Sequence, residues 1–160
     1  MIGYMAMAVV LKGTLWPYNG ESNEQRLAGS AVNDSPAPKP CILIVEDEVL
    51  VRMFAVDALE DEGFQVEECA TAAEALAKLR ELATVTAAIV DLGLPDRPGD
   101  ELAIELRKIR TDLPIVIASG RSERELKERF ALDHRLGIVV KPYTGPMLLN
   151  ALQDVGVTAA

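Results

Sequence analysis

No apolar run at the start of this chain reaches the roughly 20 residues that a membrane-spanning helix needs. The opening stretch MIGYMAMAVVL ends at Lys12 and has no basic residue ahead of it, which argues against both a membrane helix and a secretory leader. The expected location is cytoplasmic, with no membrane partner. Cysteine is scarce as well. Cys41 and Cys69 match neither a zinc spacing nor a redox pair, so both read as small apolar groups in a reducing compartment. Aromatics make up only 4% against 49% apolar residues, the texture of an α/β protein rich in Ala, Leu and Val, and 160 residues suit one domain with a core. Bases are short too. The net charge is −9 at pH 7; the first 40 residues hold three bases and three acids, so the other 120 hold 13 bases against 22 acids. Phosphate backbones are bound mainly by Lys and Arg displacing counterions, so this balance argues against direct nucleic-acid binding.

What is present divides the chain in two. Residues 1–40 read as an N-terminal extension, largely flexible: GESNEQRLAGSAVNDSPAPKP has almost nothing to bury, and PAPKP favours extended backbone. Residues 41–158 read as a domain. There, short apolar runs (CILIV, AAIV, PIVIA, GIVV) alternate with segments of helical spacing, which argues for βα units and a parallel sheet covered on both faces. FQVEE is a weaker, edge-like second strand. Val49, Met53, Val56 and Leu59 recur at helical spacing before Gly63, a stop signal. TAAE (71–74) and SERE (122–125) are capping-box patterns. GDELAIELRKIR places Leu102, Leu106 and Ile109 on one face with bases in its last turn, and a final helix is expected over about Gly145 to Asp154. Five strands and five helices result.

The informative residues follow the strands. CILIV runs into Glu46, Asp47 and Glu48; AAIV into Asp91; PIVIA into Ser119 and Gly120; GIVV into Lys141 and Pro142. Open α/β sheets bind ligands beyond the carboxyl ends of their strands, where the strand order reverses. If the order is 2-1-3-4-5, then Glu46, Asp47 and Asp91 meet in one pocket facing Ser119 and Lys141. Three carboxylates together repel, and a hard cation with oxygen ligands relieves them; Mg²⁺ suits, since it accepts one or two carboxylates and keeps waters and phosphate oxygens. The ammonium and the hydroxyl fit phosphoryl oxygens. Such a set is suited to phosphoryl transfer to an aspartate. Taken singly, each residue has a plainer reading: Asp91 as a turn former, the acidic run as a solvated helix start, Lys141 and Ser119 as surface groups. Their joint arrival at one end of one sheet is what those readings leave unexplained.

Together, ILIVEDE, IVDLGLPDRPGDEL, IASG and VVKP resemble the receiver domain of bacterial two-component response regulators, over about Cys41 to Val155. The resemblance implies a flavodoxin-like, doubly wound five-stranded parallel sheet of order 2-1-3-4-5 with five helices on two faces. It makes Asp91 the phosphoacceptor, Asp47 a Mg²⁺ ligand, Glu46 a second acid acting on the metal directly or through water, and the Gly93 backbone carbonyl a further ligand. Mn²⁺ is the alternative ion. Ser119 takes the place of the switch hydroxyl and Lys141 that of the lysine contacting the phosphoryl group, and the bond from Lys141 to Pro142 is expected to be cis. Many receivers carry an aromatic residue three positions before the lysine; here it is Ile138, so switching is expected to use aliphatic repacking and a backbone shift instead.

The implied donor is a phosphohistidine on a histidine kinase or histidine phosphotransfer protein. The output is contact with a further protein, by a monomer or by a homodimer formed on phosphorylation, with no separate enzymatic domain. Residues 1–40 and the five after Val155 suggest the stand-alone, single-domain type. The rival within this fold is a scaffold or connector that is never phosphorylated. A flavodoxin-type cofactor binder is disfavoured because its phosphate loop would here be EDEV, and a dehalogenase-type hydrolase because the residue two after its nucleophile would be Gly93 rather than an acid. His134, the only histidine, reads as a solvated loop residue.

Overall fold

The computed structural model describes residues 38–122, 124–126 and 135–159. Its strands are β1 (Cys41–Val45), β2 (Gln65–Cys69), β3 (Val85–Asp91), β4 (Ile115–Ser119) and β5 (Leu136–Val140). Its helices are α1 (Val49–Asp61), α2 (Ala72–Glu81), α3 (Gly99–Ile109) and α4 (Gly145–Asp154). Residues 124–126 are helical as well; the remainder of the helix expected after Ser122 lies outside the described residues, as do residues 1–37 and His134. All strand pairs are parallel in the order β2-β1-β3-β4-β5. Sheet order and strand content match the expected doubly wound architecture.

Residue alternation along the strands builds two cores, one on each face of the sheet. Cys41, Leu43, Val45, Ala88, Val90, Ile115 and Ile117 face the side covered by Leu76 and Leu79 of α2 and Leu102 and Leu106 of α3. Ile42, Ile44, Ala87, Ile89, Val116 and Ala118 face the other, under Ala55 and Leu59 of α1 and Leu148 and Leu152 of α4. β1 lies between two strands and beneath helices on both faces, so all five of its residues are buried. A register shift between Cys41 and Ile42 leaves Thr86 outside the ladder, where its hydroxyl accepts from the Cys41 N–H at 3.1 Å.

Two helical faces differ from the periodicity reading. Val49 and Met53 are 56% and 53% exposed, because α1 turns Ala55 and Leu59 to the sheet. In α3 the buried side is Leu102, Ala103 and Leu106, with Ile109 at its edge, 37% exposed. In both cases an apolar repeat wider than the contact stripe leaves some of its members outside. The caps follow the sequence closely. Thr71 Oγ1 accepts from Glu74 N at 3.2 Å while Glu74 Oε2 accepts from Ala70 N, one residue before the cap, at 2.8 Å; Ser122 Oγ accepts from Glu125 N at 3.4 Å while Glu125 Oε2 accepts from Ser122 N at 3.1 Å. Gly63, at φ +92°, occupies the left-handed region that ends α1. Cys41 begins β1 and Cys69 ends β2, paired with Gln65 and Val45 respectively, and both thiols are free. Among the described residues no helix is long and apolar enough to cross a membrane.

Candidate functional site

The carboxyl ends of β1, β3, β4 and β5 bring four of the sequence motifs to one place. Asp91 is the last residue of β3 and Ser119 the last of β4; Glu46 follows β1 and Lys141 follows β5. Glu46, Asp91 and Ser119 are the buried polar residues of the described core, at 2%, 7% and 3% exposure. A strand that stays in the sheet up to its final residue delivers its terminal side chain to the rim.

The geometry is centred on one ammonium. Lys141 Nζ lies 2.6 Å from Glu46 Oε2 and 3.0 Å from Asp91 Oδ1. Burial, the largest single influence on this lysine, pulls its pKa down, but hydrogen bonds and charge from both carboxylates outweigh it and hold the ammonium above its ordinary value. Burial likewise pushes Glu46 up, against its hydrogen bond from Lys141 and with the charge of Asp91 adding to the rise. Glu46 is anchored further: Oε1 accepts from Glu48 N at 3.3 Å, and its backbone carbonyl accepts from Arg52 Nη1 at 2.6 Å. Arg52 also pairs with Glu68 at 3.2 Å, linking α1 to the edge strand.

One carboxylate oxygen each from Glu46, Asp47 and Asp91 lies within 4.8 Å of the others. A set of hard oxygen donors at that spacing fits Mg²⁺, whose ligands surround it at about 2.0–2.1 Å. The cavity above them, about 460 Å³, is lined by Asp47, Asp91, Gly93, Ser119 and Lys141, together with Glu48, Leu92, Gly120 and Arg121. Glu46 lies beneath this lining. A methyl group at Gly93 would stand 3.3 Å from Asp91 Oδ2, so the absent side chain keeps that flank open. Ser119 Oγ accepts from Arg121 N at 3.1 Å, while its carbonyl accepts from Lys141 N at 2.8 Å, joining the β4 and β5 ends. The peptide bond from Lys141 to Pro142 is cis, as the resemblance implied. Ile138 is half-buried and pairs with Ile117.

The profile of the response regulator receiver domain matches residues 42–153. The chain belongs to that family. Among curated proteins, the receiver is 33% identical over 115 residues to the sensor kinase CckA of Brucella abortus, covering 71% of this chain and 12% of that protein. It is 32% identical over 120 residues to the transcriptional regulatory protein PdtaR of Mycobacterium tuberculosis, covering 75% of this chain and 58% of the relative. The chain thus spans less than two thirds of either relative. Among solved structures, the chemotaxis protein CheY4 of Vibrio cholerae aligns with a TM-score of 0.67 at 28% identity, over 74% of this chain and 99% of that one.

Three features of the receiver were not read from its sequence. Arg52 is found six residues after Glu46, and nothing in VEDEVLVR marks it as the ligand of a backbone carbonyl. Arg110 donates to the carbonyls of Leu82, at 3.0 Å, and Val85, tying the end of α3 to the entry of β3. A second groove of about 430 Å³ shares Glu48 and Lys141 with the acidic cavity and is otherwise lined by Leu50, Val51, Phe54, Pro142 and Tyr143. Phe54 and Tyr143 meet there with ring centroids 6.2 Å apart. Burial, reinforced by the charge of Glu46, pushes the Tyr143 phenol up to about 12.

Proposed function

We propose that this receiver accepts a phosphoryl group on Asp91 from a phosphohistidine of a histidine kinase or phosphotransfer protein, in a Mg²⁺-dependent reaction, and signals through protein contacts. The observation that carries the reading is Lys141, whose ammonium holds Glu46 and Asp91 together at the floor of an open acidic cavity. Asp91 supplies the nucleophilic oxygen: a bond forms from its carboxylate to phosphorus as the bond from phosphorus to the donor imidazole breaks. Lys141 is placed to neutralise a phosphoryl oxygen, and the Ser119 hydroxyl, at the same rim, to donate to another. Glu46, Asp47, Asp91 and the Gly93 carbonyl would hold the metal, with Mn²⁺ able to substitute. The ion supplies charge neutralisation at the transferred group. Hydrolysis of the acyl phosphate by water then restores the Asp91 carboxylate and ends the signal.

Incubation with Mg²⁺ and acetyl phosphate, followed by intact mass, tests this. The wild type gains one phosphoryl group and Asp91→Asn gains none. A folded, Mg²⁺-binding wild type that stays unmodified would instead support a connector that is never phosphorylated.

A further inference from the structure

The chain between Asp91 and α3 is fastened on both sides. Asp96 does not line the cavity, yet its two carboxylate oxygens accept from consecutive backbone N–H groups at the start of α2: Oδ1 from Ala72 and Oδ2 from Ala73, both at 3.0 Å. A helix start leaves its first N–H groups without partners inside the helix. Thr71 answers one of them, Glu74 N, and the two in between are taken by Asp96 from another part of the chain. The neighbouring Arg97 pairs with Glu105 of α3. Gly99 N donates to Leu92 O at 3.1 Å and closes the loop, and Leu94 is buried beneath it. Gly93 belongs to this same short loop and borders Asp91 closely enough that an added methyl would stand 3.3 Å from its carboxylate.

We propose that Asp96 is a positioning residue for the phosphoacceptor site: by tying the loop after β3 to the first turn of α2, it fixes Gly93 and so the wall of the cavity beside Asp91. This rests on the receiver reading given above. A carboxylate is suited to the task because each oxygen serves one N–H. An amide offers only one oxygen, so Asp96→Asn abandons one of the two donors, and Asp96→Ala abandons both.

The test compares Asp96→Ala and Asp96→Asn with Thr71→Ala, which weakens the same helix start without touching the loop. Mg²⁺ binding is measured by calorimetry on the full chain, phosphorylation by acetyl phosphate by intact mass, and amide exchange over residues 92–99 without metal. Removing a residue that orients metal ligands costs about tenfold or more in affinity. Asp96→Ala is therefore expected to bind Mg²⁺ about tenfold more weakly, phosphorylate more slowly and exchange faster across the loop. Asp96→Asn falls between it and the wild type. Thr71→Ala lowers the melting temperature but leaves Mg²⁺ binding and loop exchange unchanged. If both Asp96 variants behave as Thr71→Ala does, Asp96 is a helix cap only and the proposal fails while the receiver reading stands. A wild type that takes neither Mg²⁺ nor phosphate would overturn both.

Discussion

Lys141 Nζ lies closer to Glu46 than to Asp91, 2.6 Å against 3.0 Å, and Glu46 is the more deeply buried of the two acids. The lysine therefore has a structural role in its own right: it is the cation that lets two acids be buried side by side. Removing one partner of a buried ion pair leaves the other's charge uncompensated, which costs more than the pair contributes when intact.

Lys141→Met should accordingly lose about 3 kcal/mol of stability in metal-free buffer. Mg²⁺ brings positive charge back to the same acids, so it should raise the melting temperature of the variant by more than it raises that of the wild type. Thermal melts of both proteins with and without Mg²⁺ check this. Equal increments would mean that the ammonium and the metal act on different carboxylates.

Gly99 opens α3 where the chain passes the end of β3. A methyl group there would stand 2.1 Å from the Asp91 carbonyl oxygen and 2.8 Å from Leu92 Cα, both backbone atoms that have no rotamer to yield. Gly99→Ala is expected to destabilise by about 2–3 kcal/mol, the upper range for overpacking, as read by denaturant unfolding. Because the displaced backbone is that of Asp91 itself, phosphorylation by acetyl phosphate should fall in the same variant even where it remains folded.

Gly93 presents the milder case. Its missing methyl would face the Asp91 side chain at 3.3 Å, a contact the carboxylate can relieve by moving a few tenths of an ångström. Gly93→Ala should therefore melt close to the wild type but accept phosphate several-fold more slowly. A rate equal to that of the wild type would show that this flank of the cavity is not used.

The strands and the residues at their ends were legible because parallel strands buried on both faces leave uninterrupted apolar runs, and a charge directly after such a run stands out. That pattern gives Asp91 and Lys141 without any knowledge of contacts. The helical faces were less legible. Val49 and Met53 share the spacing of Leu59 yet point outward, since α1 carries more apolar residues than the sheet can cover. Least visible were the long-range polar ties. Asp96 to Ala72 spans 24 residues and Arg110 to Leu82 spans 28, and no local pattern ties a side chain to a backbone group at that distance.

The two thiols supply a pH-dependent prediction that does not involve the acidic cavity. Burial is the main cause that lifts the Cys69 thiol from an ordinary 9.0 to about 11, and burial also raises Cys41. Only the thiolate is reactive, so at pH 8 the native protein should resist iodoacetamide, and denaturant should expose two alkylation sites, counted by intact mass. The same shift has a consequence for stability. Between pH 9 and about 11 the unfolded chain releases the Cys69 proton while the folded chain retains it, so stability present below pH 9 should decline as pH rises through that window. Cys69→Ala, measured by denaturant unfolding at pH 8 and pH 10.5, should lose less on going to the higher pH than the wild type does. An equal loss would place the alkaline sensitivity elsewhere.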